Sequence, residues 1–335
     1  MNKKINFKSS QEGSFTISLD FELFWGVRAN RSLESYQTHL LGVYEAIPKM
    51  LALFEKYEIH VTWATVGFLF HENMEDIHSN HPKKLPDYMN KKVDPYLYLE
   101  SLNKNSKYNK NFIKMHTASS LIEEISKTPF QELASHTYSH FFTYEPCLNK
   151  DAFVSDMQQA LTVASGKGFT LNSLVFPRNQ INRESITLLE EMSISAYRAN
   201  PKHWAYCDGD TLKKSFFLRV YRLLDTYINL SGHHTSKPVL NKKITELRAS
   251  MMLRPYFSKL KFLEKLKLRR VKKAMLYAGQ KGENFHLWWH PHNFGENQEE
   301  NLKNLETLLA YYQKLHLEYN LKSLTMNEVL HHVNN

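Results

Sequence analysis

The sequence predicts an α/β fold built on a mainly parallel sheet, and three observations predict it. Short apolar or β-branched runs recur at residues 14–19, 59–65, 132–135, 174–176, 194–199 and 285–289. Longer segments with apolar residues at helical spacing separate them. Polar and titratable residues gather where the runs end, which is where parallel sheets and barrels place their chemistry.

The elements follow in order. Residues 14–19 read as a first strand, and 35–57 as a helix with Leu40, Val43, Ile47, Leu51 and Phe54 on one face. Residues 59–65 read as a second strand. From 73 to 118 the chain is polar, with prolines at 82, 86 and 95, and reads as a loop insertion over one mouth of the sheet. A short helix at 119–126 precedes a third strand at 132–135. A helix at 151–166, stopped by the glycines at 166 and 168, leads to a buried strand at 174–176. Helix 183–192, strand 194–199, a late aromatic-rich strand at 285–289, helix 299–319 and a last strand at 321–326 with a short helix complete the order. The whole chain reads as a single domain, with its core in residues 14–205 and 284–330 and a basic helical insertion at 205–283.

The most informative phrase is His136-Thr137-Tyr138-Ser139-His140, which directly follows the third strand. Two histidines four apart point at one place if the backbone between them turns helically. Asp20 and Glu22 stand where the first strand ends, two apart and so on one side of an extended chain. Two neutral imidazoles and one carboxylate make a three-ligand site for a zinc-like ion. A second carboxylate beside the bound water acts as a general base. The chemistry this spells is metal-assisted hydrolysis. With 17 histidines in the chain, the H-x3-H pair alone says little; its force comes from the elements that follow in order.

Those elements are Phe176-Pro177-Arg178-Asn179-Gln180 after the fourth strand and Trp288-Trp289-His290-Pro291-His292 after the late one. Here the sequence resembles the polysaccharide deacetylase family, the NodB-homology or carbohydrate esterase family 4 group, as a variant with an Asp-x-Glu first motif. The resemblance implies a distorted (β/α)7 barrel. It also implies Asp20 as catalytic base, Glu22, His136 and His140 as metal ligands, Arg178 as the arginine that orients the base, and His290 as general acid. His292 is the alternative acid; His290 is preferred because it ends the strand directly. Trp25, Asn179, Trp288 and His292 are the expected substrate contacts. One divalent ion is implied, zinc first, with cobalt, manganese or nickel as alternatives. Departures are visible: the family often has adjacent aspartates, and Arg178 lies outside the usual R-x-P-Y phrase. Trp204 is the nearest candidate for the family's Asp/Trp motif and also reads as a packed aromatic.

Composition sets bounds. The chain has 335 residues, 42% of them hydrophobic, enough for a sizeable core. Mean hydropathy of −0.49 and the lack of a long apolar run argue against a membrane span. The first residues carry lysines but no following apolar stretch, so no secretory signal is expected, and a cytoplasmic setting is. Cys147 and Cys207 form no paired motif and are expected to be ordinary packed residues.

The net charge of +9 concentrates at residues 256–278, where eight Lys and Arg face one acid, Glu264. Leu260, Leu263, Leu266, Val271, Met275 and Ala278 give that stretch an apolar stripe. It suits either an anionic membrane surface at the inner face or packing on the barrel. No nucleic-acid motif accompanies the charge, so nucleic acid is not expected. A basic face beside a deacetylase-like site suggests an acetamido sugar on a nucleotide or polyprenyl diphosphate, as in bacterial O-antigen or capsule assembly. Lys267, Arg269 and Arg270 are the expected diphosphate contacts. A hydrolase of another C–N bond and a catalytically silent glycan-binding module are the alternatives.

Overall fold

The structure is a computed structural model that describes residues 12–102, 108–145, 150–192, 194–207 and 215–333. The expectations for the first residues and for Cys147 lie outside the described residues. Among the described residues, ten strands form one sheet: β1 (Ser14–Phe21), β2 (Val61–Thr65), β3 (Gln131–Ser135), β4 (Ser173–Val175), β5 (Ala196–Ala199), β6 (Val239–Asn241), β7 (Ile244–Arg248), β8 (Met251–Met252), β9 (Asn284–Trp289) and β10 (Lys322–Ser323). Except for the β6–β7 pair, every strand pairing is parallel.

The sheet closes on itself through one continuous stretch of chain. β7 pairs with β5, and two residues later β8 pairs with β9. Hydrogen bonds from Ala249 N to Ala199 O and from Ser250 N to His286 O mark the point where the chain changes partner. Counted as one stave, β7 and β8 join β1, β2, β3, β4, β5 and β9 in a barrel of seven parallel staves among the described residues.

Alternation along the strands sorts the side chains. Phe15, Ile17, Leu19 and Phe21 of β1 join Trp63, Phe285, Leu287 and Trp289 in the main apolar core under the helices. Thr16, Ser18 and Asp20 face the lumen, which is polar and hydrogen-bonded: Ser14 and Thr16 donate to Asn284 Oδ1, and Thr62 and Ser173 donate to the two oxygens of Glu132. The helix Met326–Val333 plugs the far end, placing Met326 and Val329 against Ala64, Val175, Ala196 and Leu247. This leaves the end from which the carboxyl termini of the strands emerge open for a site.

Helices Leu33–Lys56, Ser119–Lys127, Lys150–Gly166 and Gln298–Tyr319 occupy the segments expected of them. Two segments differ from expectation. The stretch expected to be a loop contains helices Met74–Ser79, Pro95–Ser101 and Lys110–His116, started by the side chains of Asn73, Asp94 and Asn109. The basic segment is no appendage. Its helix Glu264–Lys281 is the crossover between β8 and β9, and Val271, Ala274, Met275 and Ala278 pack into the main core. Lys267 and Arg270 are buried in that interface, whereas Leu266 of the expected apolar stripe is exposed.

Candidate active site

The open barrel mouth gathers side chains from four staves. Asp20 lies near the end of β1, and Glu22 follows it as the residue that starts the short helix Leu23–Val27. His136 and His140 follow β3. They are not on a helix: the turn between them has positive φ at Thr137 (63°) and His140 (60°), a conformation costly for residues other than glycine. Neighbouring groups fix it. Thr137 N donates to Ser135 Oγ, Phe141 N donates to Thr137 Oγ1, and Gly67 N and Phe68 N donate to the carbonyls of Thr137 and Tyr138. From the helix Lys150–Gly166, the buried Asp156 carboxyl accepts Tyr138 N at 2.7 Å, Ser139 N at 3.2 Å and the Ser139 hydroxyl. Burial pushes that carboxyl up to about 7.

Glu22, His136 and His140 form the one group among the described residues with three potential ligand atoms that lie within 4.8 Å of one another. Glu22 Oε2 is 3.0 Å from His140 Nε2 and 3.4 Å from His136 Nε2. Ligand atoms about 2.0–2.1 Å from a tetrahedral zinc are about 3.3 Å apart, so the cluster has a fitting span. His136 Nδ1 donates to Val175 O at 2.8 Å, which turns the lone pair of Nε2 into the cluster, where it has no hydrogen-bond partner. Burial presses His140 down to about 4, so its imidazole is neutral, as ligation requires. Burial alone would raise the Glu22 carboxyl, but His290, His136 and His140 hold it well below its ordinary range. Gly26 makes the position possible: a Cβ there would lie 1.9 Å from the Glu22 carboxyl carbon.

Beside this cluster stands a buried ion pair. The guanidinium on Asp20 belongs to Arg198 of β5, not to Arg178. Arg198 reaches across the lumen and donates to Asp20 Oδ1 at 2.6 Å and Oδ2 at 2.7 Å, to Ser18 Oγ at 2.9 Å and to Asn179 Oδ1 at 2.8 Å. Burial would raise the Asp20 carboxyl, but the charge and hydrogen bonds of Arg198 outweigh it and hold it below the usual carboxylate range. Arg178 is exposed, with its guanidinium 4.5 Å from the Phe142 ring centroid. His286 extends the ion pair, its Nε2 lying 2.8 Å from Ser18 Oγ.

His290 is the partly exposed imidazole of the mouth, with Nε2 3.5 Å from Glu22 Oε1 and 3.9 Å from Asp20 Oδ2. His292 stacks behind it, 3% exposed, and burial followed by the neighbouring His290 lowers it to about 3. Trp288 is half-buried at the rim beneath the Arg198 guanidinium, 4.4 Å from its centre. Trp25, an expected substrate contact, is 1% exposed; its indole N–H donates to His116 O, and its ring packs on Phe68 and Tyr98. Trp204 stands exposed beside Tyr221. Sequence reasoning missed Arg198, Ser18, His286 and Asp156. The signal for Arg198 was an arginine inside the short apolar run Ile194–Ala199.

No protein-family model matches the chain, and neither does any curated protein sequence. Solved structures share its fold. A candidate polysaccharide deacetylase from Mycobacterium smegmatis superposes with a TM-score of 0.60 at 12% identity, covering 98% of this chain and 93% of its own. A second such protein, from Pseudomonas aeruginosa, gives 0.54 at 10% identity over 95% of this chain and 89% of its own. A PuuE allantoinase gives the same values, 0.54 and 10%, over 95% and 89%. The chain therefore has the fold of the polysaccharide deacetylase structures.

Proposed function

We propose that the chain is a metal-dependent carbohydrate N-deacetylase of the polysaccharide deacetylase group, acting on an acetamido sugar. The observation that carries the reading is the Glu22–His136–His140 cluster with an orphaned imidazole nitrogen aimed into it, flanked by Asp20 and His290. Two imidazoles and a carboxylate suit zinc first, with cobalt, manganese or nickel as alternatives. When bound, such a cation supplies Lewis acidity, the property that brings a coordinated water toward a pKa of about 7.

The chain's own groups divide the proton work. Asp20, held ionised by Arg198, accepts a proton from the attacking water. An amine anion is a very poor leaving group, so the nitrogen must be protonated as the C–N bond breaks. His290 is the donor, because it stands at the mouth within 4 Å of both carboxylates while His292 is sealed behind it. Arg198 replaces Arg178 as the orienting arginine. Trp288 offers a partly exposed ring for the sugar, and Asn179, tied to Arg198 through Oδ1, keeps its amide N–H groups for the substrate.

The proposed setting is the inner face of a bacterial membrane, in surface-polysaccharide assembly on a nucleotide or lipid diphosphate. Exposed Lys259, Lys261, Lys265 and Arg269, interleaved with exposed Phe257 and Phe262, support a peripheral contact with anionic lipid. Among the described residues, no helix is long and apolar enough to cross a membrane.

The test is acetate release from a panel of acetamido sugars with Zn, Co or Mn, comparing the native chain with Asp20→Asn. Metal analysis of the native chain and His136→Ala accompanies it. About one equivalent of ion, lost in His136→Ala, together with acetate release abolished in Asp20→Asn, is expected. Ion without acetate, but with hydrolysis of another amide, selects the other C–N hydrolase. Neither ion nor turnover selects a silent glycan-binding module.

A further inference from the structure

A cavity of about 300 Å³ opens on the far side of Trp288 and Asn179 from the metal cluster, along the stretch Ala249–Arg254 that closes the barrel. Its inner rim is thus formed by two residues that touch Arg198. Its outer wall carries two arginines from separate elements, Arg222 of the helix Phe216–Asp225 and Arg254 after β8.

Each of these arginines is anchored through Nε alone. Arg222 Nε donates to Ala205 O at 2.6 Å, and Arg254 Nε donates to Thr226 Oγ1 at 3.0 Å. Neither has a protein hydrogen-bond partner for its Nη groups among the described residues, so two guanidinium forks with unfilled N–H₂ groups line one cavity, that of Arg222 over the Tyr206 ring. Burial lowers the pKa of Arg222, and Arg254 adds to the effect, which reflects how close the two like charges stand.

Asp225 and Lys267, which also line the cavity, and Arg270 beside Asp225 are already committed. Asp225 accepts the Tyr206 hydroxyl at 2.7 Å, Leu230 N at 2.9 Å, Ser231 N at 3.0 Å and the Ser231 hydroxyl at 2.6 Å, with Arg270 at 3.7 Å behind it. Lys267 gives its ammonium to Arg254 O, Pro255 O and Glu264. Arg270 is held by Gly232 O and His233. The expected diphosphate contacts Lys267 and Arg270 are therefore structural, and the positive charge of the cavity comes from Arg222 and Arg254 on its outer wall together with Arg178, whose guanidinium stacks on Phe142. Two like charges held together with unfilled donors are an anion site waiting for phosphate-type oxygens.

We infer that this cavity seats a phosphate or diphosphate of the substrate, gripped by Arg222 and Arg254, while the acetamide reaches Asp20 and His290; the inference rests on the deacetylase reading. The remainder of the carrier leaves past the helix Phe216–Asp225, which turns Phe217, Val220 and Leu224 to solvent. A nucleotide and a polyprenyl chain share the diphosphate, so the experiment separates them.

The experiment measures kcat/KM of the zinc-loaded enzyme for a free acetamido sugar, its 1-phosphate, its nucleoside-diphosphate form and its polyprenyl-diphosphate form. The comparison is with Arg222→Gln, Arg254→Gln and the double variant. The preference for phosphate-bearing over free sugar is expected to fall about 10- to 100-fold in the double variant, mostly in KM, as loss of charge-assisted hydrogen bonds implies. Whichever diphosphate form shows the larger preference in the native enzyme names the carrier. An unchanged preference overturns the inference. Calorimetric binding of inorganic pyrophosphate gives a readout independent of turnover. Binding by the native chain that is lost in the double variant upholds the anion site even if no acetate is released from any substrate. Failure of the native chain to bind pyrophosphate overturns it even if deacetylation is observed.

Discussion

Replacing Arg198 by Met is expected to cost about 3–5 kcal/mol of stability, the range for removing one partner of a buried ion pair. The structure supports the upper half of that range. Arg198 is 1% exposed and Asp20 3%, so the carboxylate left behind is almost shut off from bulk solvent. Four charge-assisted N–H···O bonds vanish with the guanidinium, two of them to a carboxylate. For a 335-residue chain, an unfolding entropy of about 2.1 cal/mol/K per residue converts the loss to a Tm drop of about 4–7 °C. Adding Asp20→Asn removes the stranded charge and is expected to restore the stability to within about 2 kcal/mol of the native chain. Arg178→Met, at an exposed cation–π contact, is expected to cost about 1 kcal/mol or less. Guanidinium unfolding of the three variants and the native chain, with and without chelator, measures all of these. The reasoning is refuted if Arg178→Met matches Arg198→Met, or if the double variant is no more stable than Arg198→Met.

Three further outcomes are expected. Gly26→Ala drives a methyl into the Glu22 carboxyl group and should weaken zinc binding at least 10-fold in chelator competition, while unfolding midpoints hold or rise because Ala suits the helix better. Asp156→Asn exchanges one acceptor oxygen for an N–H₂ that faces backbone donors. The histidine turn should loosen and metal affinity fall about 10- to 100-fold, with secondary structure intact by circular dichroism. His116 is fully buried between Phe112 O and the Tyr98 hydroxyl, and burial lowers it to about 4. The unfolded chain takes up that proton near pH 6.5 and the folded chain resists it until about 4, so its contribution is present above pH 6.5 and is lost as pH falls through this window. The native chain should lose about 3 kcal/mol more than His116→Gln between pH 7 and pH 4, read from urea midpoints; equal losses would remove His116 as a cause.

Local patterns were legible in the sequence, and pairings across the lumen were not. The alternation of β1, the helices with clear apolar faces, and the placement of Asp20, Glu22, His136, His140 and His290 at strand ends all depend on residues near in sequence. The partner of Asp20 does not: Arg198 is 178 residues away and on the opposite wall, so its selection follows from closure of the barrel. Arg178 stood out because it follows a strand end at the place where the resemblance puts an arginine-bearing turn. Closure itself was hidden because β7 and β8 are short, and three of the four residues Thr245-Glu246-Leu247-Arg248 are polar. The charge count of the helix Glu264–Lys281 pointed outward, yet Glu264 and Asp225 neutralise Lys267 and Arg270 and take both inside. The helices within 73–118 carried readable starts at Asn73, Asp94-Pro95 and Asn109; the prolines and polarity around them masked those signals.

The split stave has a consequence for how such a protein can diversify. The Glu22–His136–His140 cluster rests on β1 and β3, whereas the arginine-lined recess is carved where β7 hands over to β8 and by the helix before it. Substitutions or insertions at that seam can reshape the recess while leaving Glu22, His136 and His140, which sit on other staves, in place. Under the proposed deacetylase reading, a lineage of such chains can keep one chemistry and trade its clientele.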